Sequence, residues 1–133
     1  MFLTVDEINT TASLKSKLGT DDQVQNYIID AMDIAHNYLH VLYDCDKAFE
    51  TIGNNRNKLL LRHIKSIVKY MMYETSAIDM NATVDNNYAE AIKWLLDAGN
   101  GTIPTTLPTH TDEAGEEELF MFLGGKKKYK TDN

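Results

Sequence analysis

The chain has 133 residues, 43% of them apolar, which is enough for one domain around a single core and too little for two. Twenty acidic against thirteen basic side chains leave a net charge of −7, which argues against a general binder of DNA backbone or anionic lipid. No apolar run approaches the length of a membrane span, and the N-terminus lacks the cationic-then-apolar pattern of an export signal, so a soluble chain retained in the cell is expected.

Four helices are predicted in chain order. Thr4 followed by Glu7 has capping-box spacing and opens a short helix over residues 5–18, closed by Gly19 in a left-handed conformation. Thr20 with Gln23 repeats that spacing, and Asp21 and Asp22 suit the positive end of the next helix dipole. The second helix, residues 21–43, carries Val24, Ile28, Ala31, Ala35, Tyr38 and Leu42 at intervals of three and four. Residues 43–57 lose the period and contain Gly53 and several asparagines. They read as a connection in which Ala48, Phe49 and Ile52 anchor at most a partial turn. The third helix, residues 58–78, holds Leu60, Leu61, Ile64, Ile67, Val68, Met71 and Met72 on a face wide enough for two neighbours, as a central helix requires. Residues 81–87 read as a polar turn, and a shorter helix over 87–98 ends at Gly99-Asn100-Gly101, with Pro104 and Pro108 barring continuation. The fold class is therefore an all-α compact bundle of about four helices, with a domain over residues 1–104 and a tail over 105–133.

That tail passes from a Thr/Pro linker to an acidic run at 112–118, an apolar run at 119–123, a double glycine and a basic run at 126–130. A helix ending at Gly124, a hairpin at Gly124-Gly125 and an extended peptide all fit. Leu119, Phe120, Met121, Phe122 and Leu123 in succession form an apolar run that either seeks a partner or folds back as a packing arm, with Lys126, Lys127 and Lys128 beside it.

No catalytic, metal or cofactor residues are assigned. His36 and His40 stand four apart, as two ligands of one metal would, but they fall on the polar face of their helix and no third ligand has matching spacing. Asp30 and Asp33 share that face, where nothing tunes a carboxylate pair. Cys45 cannot close an intramolecular disulfide, and Asp44 and Asp46 oppose its thiolate, so an inert thiol in a reducing compartment is expected. The more specific feature is a cationic stripe on the third helix: Lys58, Arg62, Lys65 and Lys69, spaced four, three and four. Such a stripe is either a solvated face, paired with acids such as Asp30 and Asp33, or a surface for an acidic partner, another copy of the chain, or phosphate.

One set of residues resembles a known family. Thr4 to Ile8 with Gly19, then Ala31, Ala35, Tyr38 and Leu39, then Leu61, Ile64, Tyr70 and Tyr73, and finally Tyr88, Ala91, Trp94, Leu95, Gly101, Ile103 and Pro104 follow the order seen in small helical proteins of Mu-like and related tailed phages and prophages. These are placed among head-to-tail joining (head-completion, neck adaptor) proteins and often catalogued as a domain of unknown function. The likeness spans residues 3–108, while the 43–57 connection lacks the family's arginine-tyrosine or prolines. The resemblance implies a non-enzymatic connector subunit that joins a ring between portal and tail. It would be found in the bacterial cytoplasm during assembly and at the head-tail junction of the virion. Its partners would be the portal protein, tail-completion or neck proteins and other copies of itself, with no membrane and no sequence-specific nucleic acid. The competing expectation is a monomeric or dimeric helical regulatory module that captures an acidic or apolar partner; a DNA-binding regulator ranks last on net charge.

Overall fold

The computed structural model describes residues 1–8, 17–76 and 78–110. Among them are four α-helices: α1 (Asp21–Leu39), α2 (Cys45–Glu50), α3 (Lys58–Glu74) and α4 (Ala82–Gly99), with 3-10 turns at Val5–Glu7 and Gly53–Asn55. The described residues form no strand, only an isolated antiparallel bridge between Tyr43 and Thr109. The long helices α1, α3 and α4 pack against one another in all three pairings, so α3 has two neighbours, as its broad apolar face requires.

Each long helix starts at a side chain that takes up an otherwise orphaned amide. Thr20 accepts from the Gln23 amide while Gln23 Oε1 accepts from the Thr20 amide at 2.9 Å, completing the capping box at α1. Asn57 accepts from Leu60 N at 3.0 Å to open α3. Asn81 accepts from Thr83 N at 2.8 Å, and this moves the start of α4 to Ala82, five residues before the expected position. Two other helix ends differ from expectation. The helix predicted to reach residue 43 stops at Leu39, because Asp44 caps a new six-residue helix through the Lys47 amide. The helix predicted to reach residue 78 stops at Glu74, where Thr75 Oγ1 donates to the Met71 carbonyl.

The N-terminal expectation is corrected as well. A helix does not run on from Val5: the element is a single 3-10 turn, and Ile8 leaves it in extended backbone with its side chain buried. The remainder of the predicted 5–18 helix lies outside the described residues until Lys17. Arg56 holds this turn in place. Its guanidinium donates from Nη1 to the Phe2 carbonyl at 2.8 Å and grips both Glu7 oxygens at 2.8 and 2.9 Å. Phe2 and Leu3, neither singled out in the sequence, thereby become core residues, and Phe2 meets Phe49 of α2 edge to face. The chain also stays on the domain beyond residue 104. Leu107 is buried, Asn57 Nδ2 donates to Thr106 Oγ1, and the Asp44 amide donates to the Pro108 carbonyl.

Gly99 and Gly101 serve different purposes. Gly101, at φ +81°, supplies the left-handed residue of a Schellman closure in which Gly101 N donates to Ala98 O and Thr102 N to Asp97 O. Gly99 is helical, but a Cβ on it would lie 2.0 Å from the Tyr38 carbonyl oxygen of α1. The backbones of α1 and α4 therefore meet there, with Ala31 and Ala35 of α1 and Ala91 and Ala98 of α4 fully buried.

Two predictions follow from this packing. Gly99→Ala must push α1 and α4 apart and is expected to destabilise the fold by about 3 kcal/mol or more, whereas Gly99→Ala in an exposed helix would stabilise it; urea denaturation measures the difference. Arg56 holds the Glu7 carboxyl well below the ordinary range, at about 2 against 4.5. The resulting stability is complete above pH 4.5 and is lost as pH falls from there toward 2. Glu7→Gln should cost about 1–3 kcal/mol near neutrality, the worth of charge-assisted hydrogen bonds, and the gap to the parent chain should close in acid.

Candidate functional site

The cationic stripe forms one wall of a groove. Lys58, Arg62, Lys65 and Lys69 stand along α3, Leu61 and Ser66 lie between them, and Val84 and Asn87 of α4 form the opposite side of a cleft of about 330 Å³. Val84 and Asn87 reach this position because α4 begins at Ala82; read as a polar turn, the same residues gave no sign of being a wall. The Asn81 cap was the signal that could have revealed it. The Ser66 hydroxyl donates to the Arg62 carbonyl and so is turned back onto its own helix.

Four cations and no acid line the groove. Among the described residues the stripe makes one ion pair, Arg62 with Glu90 of α4 at 3.9 Å, with both side chains 65% exposed. A pair so long and so well hydrated contributes little. Asp30 and Asp33, the expected neutralising acids, are exposed on α1 and pair with none of the four. The solvated-face reading therefore holds only in part: Lys65 and Lys69 are half-buried along a cleft and lack a described carboxylate partner.

The aromatics of the family-like signature fasten α3 to α4 beside this groove. Tyr70 stacks on Tyr88 with ring centroids 3.8 Å apart, and His63 stacks on Trp94 at 5.0 Å. Burial, with the other phenols and Glu74 nearby, raises the Tyr88 pKa. His63 is the one buried polar or charged residue among those described, with 7% of its surface exposed. Burial first and the Arg62 charge second lower its pKa below 6.5, against a smaller opposing pull from Glu90. Around it lie Lys93, Trp94, Asp97 and Ile103 in a shallow, open depression, and Lys93 Nζ is already committed to Asp97 at 2.9 Å.

The other candidates from the sequence do not converge. His36 and His40 are exposed and stacked on each other at 5.3 Å, and His40 Nδ1 lies 3.2 Å from the His36 carbonyl oxygen. Among the described residues no group of three or more His, Cys, Asp or Glu is placed to hold a metal. Cys45 is buried, and desolvation followed by the charges of Asp44 and Asp46 pushes its thiol up to about 11, far from a reactive thiolate. The apolar residues Leu119, Phe120, Met121, Phe122 and Leu123 and the basic residues Lys126, Lys127 and Lys128 lie outside the described residues. No helix among the described residues is long and apolar enough to cross a membrane.

His63 yields a test of this geometry. An unfolded imidazole takes up its proton near pH 6.5, and the folded one resists until a lower pH. Stability should thus decline as pH drops below 6.5 and level off once the folded group is protonated. His63→Phe, which keeps the stack on Trp94, should flatten that part of the profile in chemical denaturation followed by Trp94 fluorescence.

Comparison of the chain with protein-family models, curated proteins and solved structures finds no match.

Proposed function

We propose that this protein is a non-enzymatic connector subunit of a tailed phage or prophage, which joins a ring between portal and tail. The observation that carries the reading is the groove: a chain of net charge −7 keeps four cations together along one cleft and leaves three of them without a described carboxylate partner. Such a surface is complementary to the acidic remainder of another copy. Because the groove between α3 and α4 and the exposed acids Asp22, Asp30 and Asp33 of α1 lie at different places on the subunit, such a contact would be head to tail, the type that closes into a ring when the rotation permits. The family-like order of residues over 3–108 adds support, since its aromatics build the α3–α4 junction beside the groove. The exposed histidine pair and the suppressed thiol of Cys45 favour a binding role over a catalytic one. An acidic ring also suits an axial DNA path, because a duplex slides past negative walls instead of adhering.

The monomeric or dimeric binding module remains the second reading, and the same groove would then receive a different acidic partner. Charge reversal separates the two. The double variant Lys65→Glu, Lys69→Glu should fold normally, since neither side chain belongs to the buried core, and should lower ring assembly at least about tenfold through like-charge repulsion. Negative-stain imaging of the concentrated protein, and of particles completed with it, supplies the readout. Normal rings from the double variant would sink the groove-mediated connector reading, and a chain that forms no rings by itself or with portal-bearing particles would favour the module.

A further inference from the structure

The groove has a nearer candidate occupant than a second copy. We propose that, in the free subunit, the chain's own acidic run (Asp112, Glu113, Glu116, Glu117 and Glu118) docks in the cationic groove between α3 and α4. Three observations lead there, and none depends on the connector reading.

The first is where the chain leaves the described domain. Asn57 Nδ2 donates to Thr106 Oγ1, Pro108 shares a depression with Lys58, and His110 Nε2 lies 3.0 Å from the His40 carbonyl oxygen just past the end of α1. Helices α1 and α3 run antiparallel, with Tyr27 bonded to Thr75 at the opposite end, so the exit is at the Lys58 end of the groove.

The second is reach. From Lys58 to Lys69 the helix rises about 16 Å. The eight residues that follow His110, through Glu118, span up to about 28 Å when extended, enough to cross one helix spacing of about 8–10 Å and still run the length of the stripe. The order also suits the groove: in the proposed docking Asp112 and Glu113, which come first in the sequence, would meet Lys58 and Arg62, and the three glutamates that follow would meet Lys65 and Lys69.

The third is charge. Five carboxylates within seven residues meet four cations of which Lys58, Lys65 and Lys69 have no described carboxylate partner. The linker is short, so the effective concentration of the run at its own groove is of millimolar order, well above that of a second copy in dilute solution. In a ring the neighbours' acids become as concentrated as the chain's own, and the run can be displaced.

Zero-length carbodiimide coupling tests this on the unaltered full chain, because it joins an amine to a carboxylate only when the two touch. An equimolar mixture of isotopically light and heavy protein at low micromolar concentration distinguishes links within a chain from links between chains. Lys93 to Asp97, paired at 2.9 Å, is the internal positive control. The expected result is intrachain linkage of Lys58 to Asp112 or Glu113, and of Lys65 or Lys69 to residues 116–118. The yield should fall by about two- to fivefold in 1 M NaCl, the change expected when exposed ion pairs are screened. Replacing the five acids by their amides should abolish these links and leave the control intact. The proposal fails if the control forms and no intrachain link to 112–118 does. It fails equally if those links appear only between light and heavy chains, which would assign the groove to a second copy, or if added duplex DNA rather than the acidic run shields the stripe.

Discussion

The fold depends on how closely α1 and α4 can approach. At Gly99 the backbone of α4 lies against the Tyr38 carbonyl of α1, a contact that no residue with a Cβ could make. The four alanines buried along the same two helices continue that thin interface, and larger side chains would hold the helices at ordinary separation. With α1 and α4 drawn together, α3 lies against both. It buries Leu60, Ile64, Ile67, Val68 and Met72 completely, each contributing on the order of 1.5–3 kcal/mol. The rotation of α3 is fixed by that packing, and so is the direction in which its one cationic edge points. A single glycine thus sets where Lys58, Arg62, Lys65 and Lys69 stand, although it touches none of them.

A second constraint works at the other end of the chain's path. Arg56 joins three segments that would otherwise be separate: the N-terminal strip through the Phe2 carbonyl, the capped turn through Glu7, and its own connection through the Gly53 carbonyl. A guanidinium suits this position because its planar fork satisfies a carboxylate and backbone carbonyls at once, which a lysine ammonium does not do with the same geometry. Its side chain is 13% exposed, so solvent screens the pair with Glu7 far less than it screens Arg62 with Glu90. The connection held here leads directly into the Asn57 cap of α3. The same asparagine bonds to Thr106, so the start of the central helix and the exit of the chain are positioned by one side chain.

Most of the architecture was legible because it rests on local chemistry. The Thr20–Gln23 box, the helix end at Gly99-Asn100-Gly101 and the three-and-four spacing on α1 and α3 all rest on residues close in sequence; the box and the helix end are present, and the α1 stripe holds through Ala35 while Leu42 is buried beyond the helix. What was not legible has non-local causes or is too short to show a period. Six residues make fewer than two turns, so α2 shows no period, and its Asp44 cap, not read from the sequence, is its one local signal. Asn81 belongs to a polar stretch that resembles a turn, and only its bonds to the Thr83 and Val84 amides show that it starts a helix. The N-terminal strip that buries Phe2 and Leu3 is held by Arg56, 54 residues from Phe2, and Gly99 passed for a helix terminator because the Tyr38 carbonyl it meets is invisible in sequence. For the groove, spacing alone identified the stripe, but its far wall required the true start of α4.

An acidic chain with a basic groove carries two opposed tendencies, since the net charge of −7 makes every copy repel every other. The length scales resolve this. At physiological ionic strength a charge is felt over about 8 Å, whereas a domain of this size has a radius of gyration near 13 Å, so the repulsion between whole subunits is largely screened while contacts inside the groove are not. Association is then governed by local complementarity, and the distant excess of acid weakens contacts made anywhere else on the surface. That arrangement discriminates by geometry: a carboxylate placed along the groove is attracted, and the same carboxylate elsewhere on the domain meets mostly its own sign. Single exposed pairs are worth too little to bind two free subunits, yet several formed together on a template add up. In the proposed connector, a subunit built this way would stay separate when dilute and adhere where neighbours are already held in register.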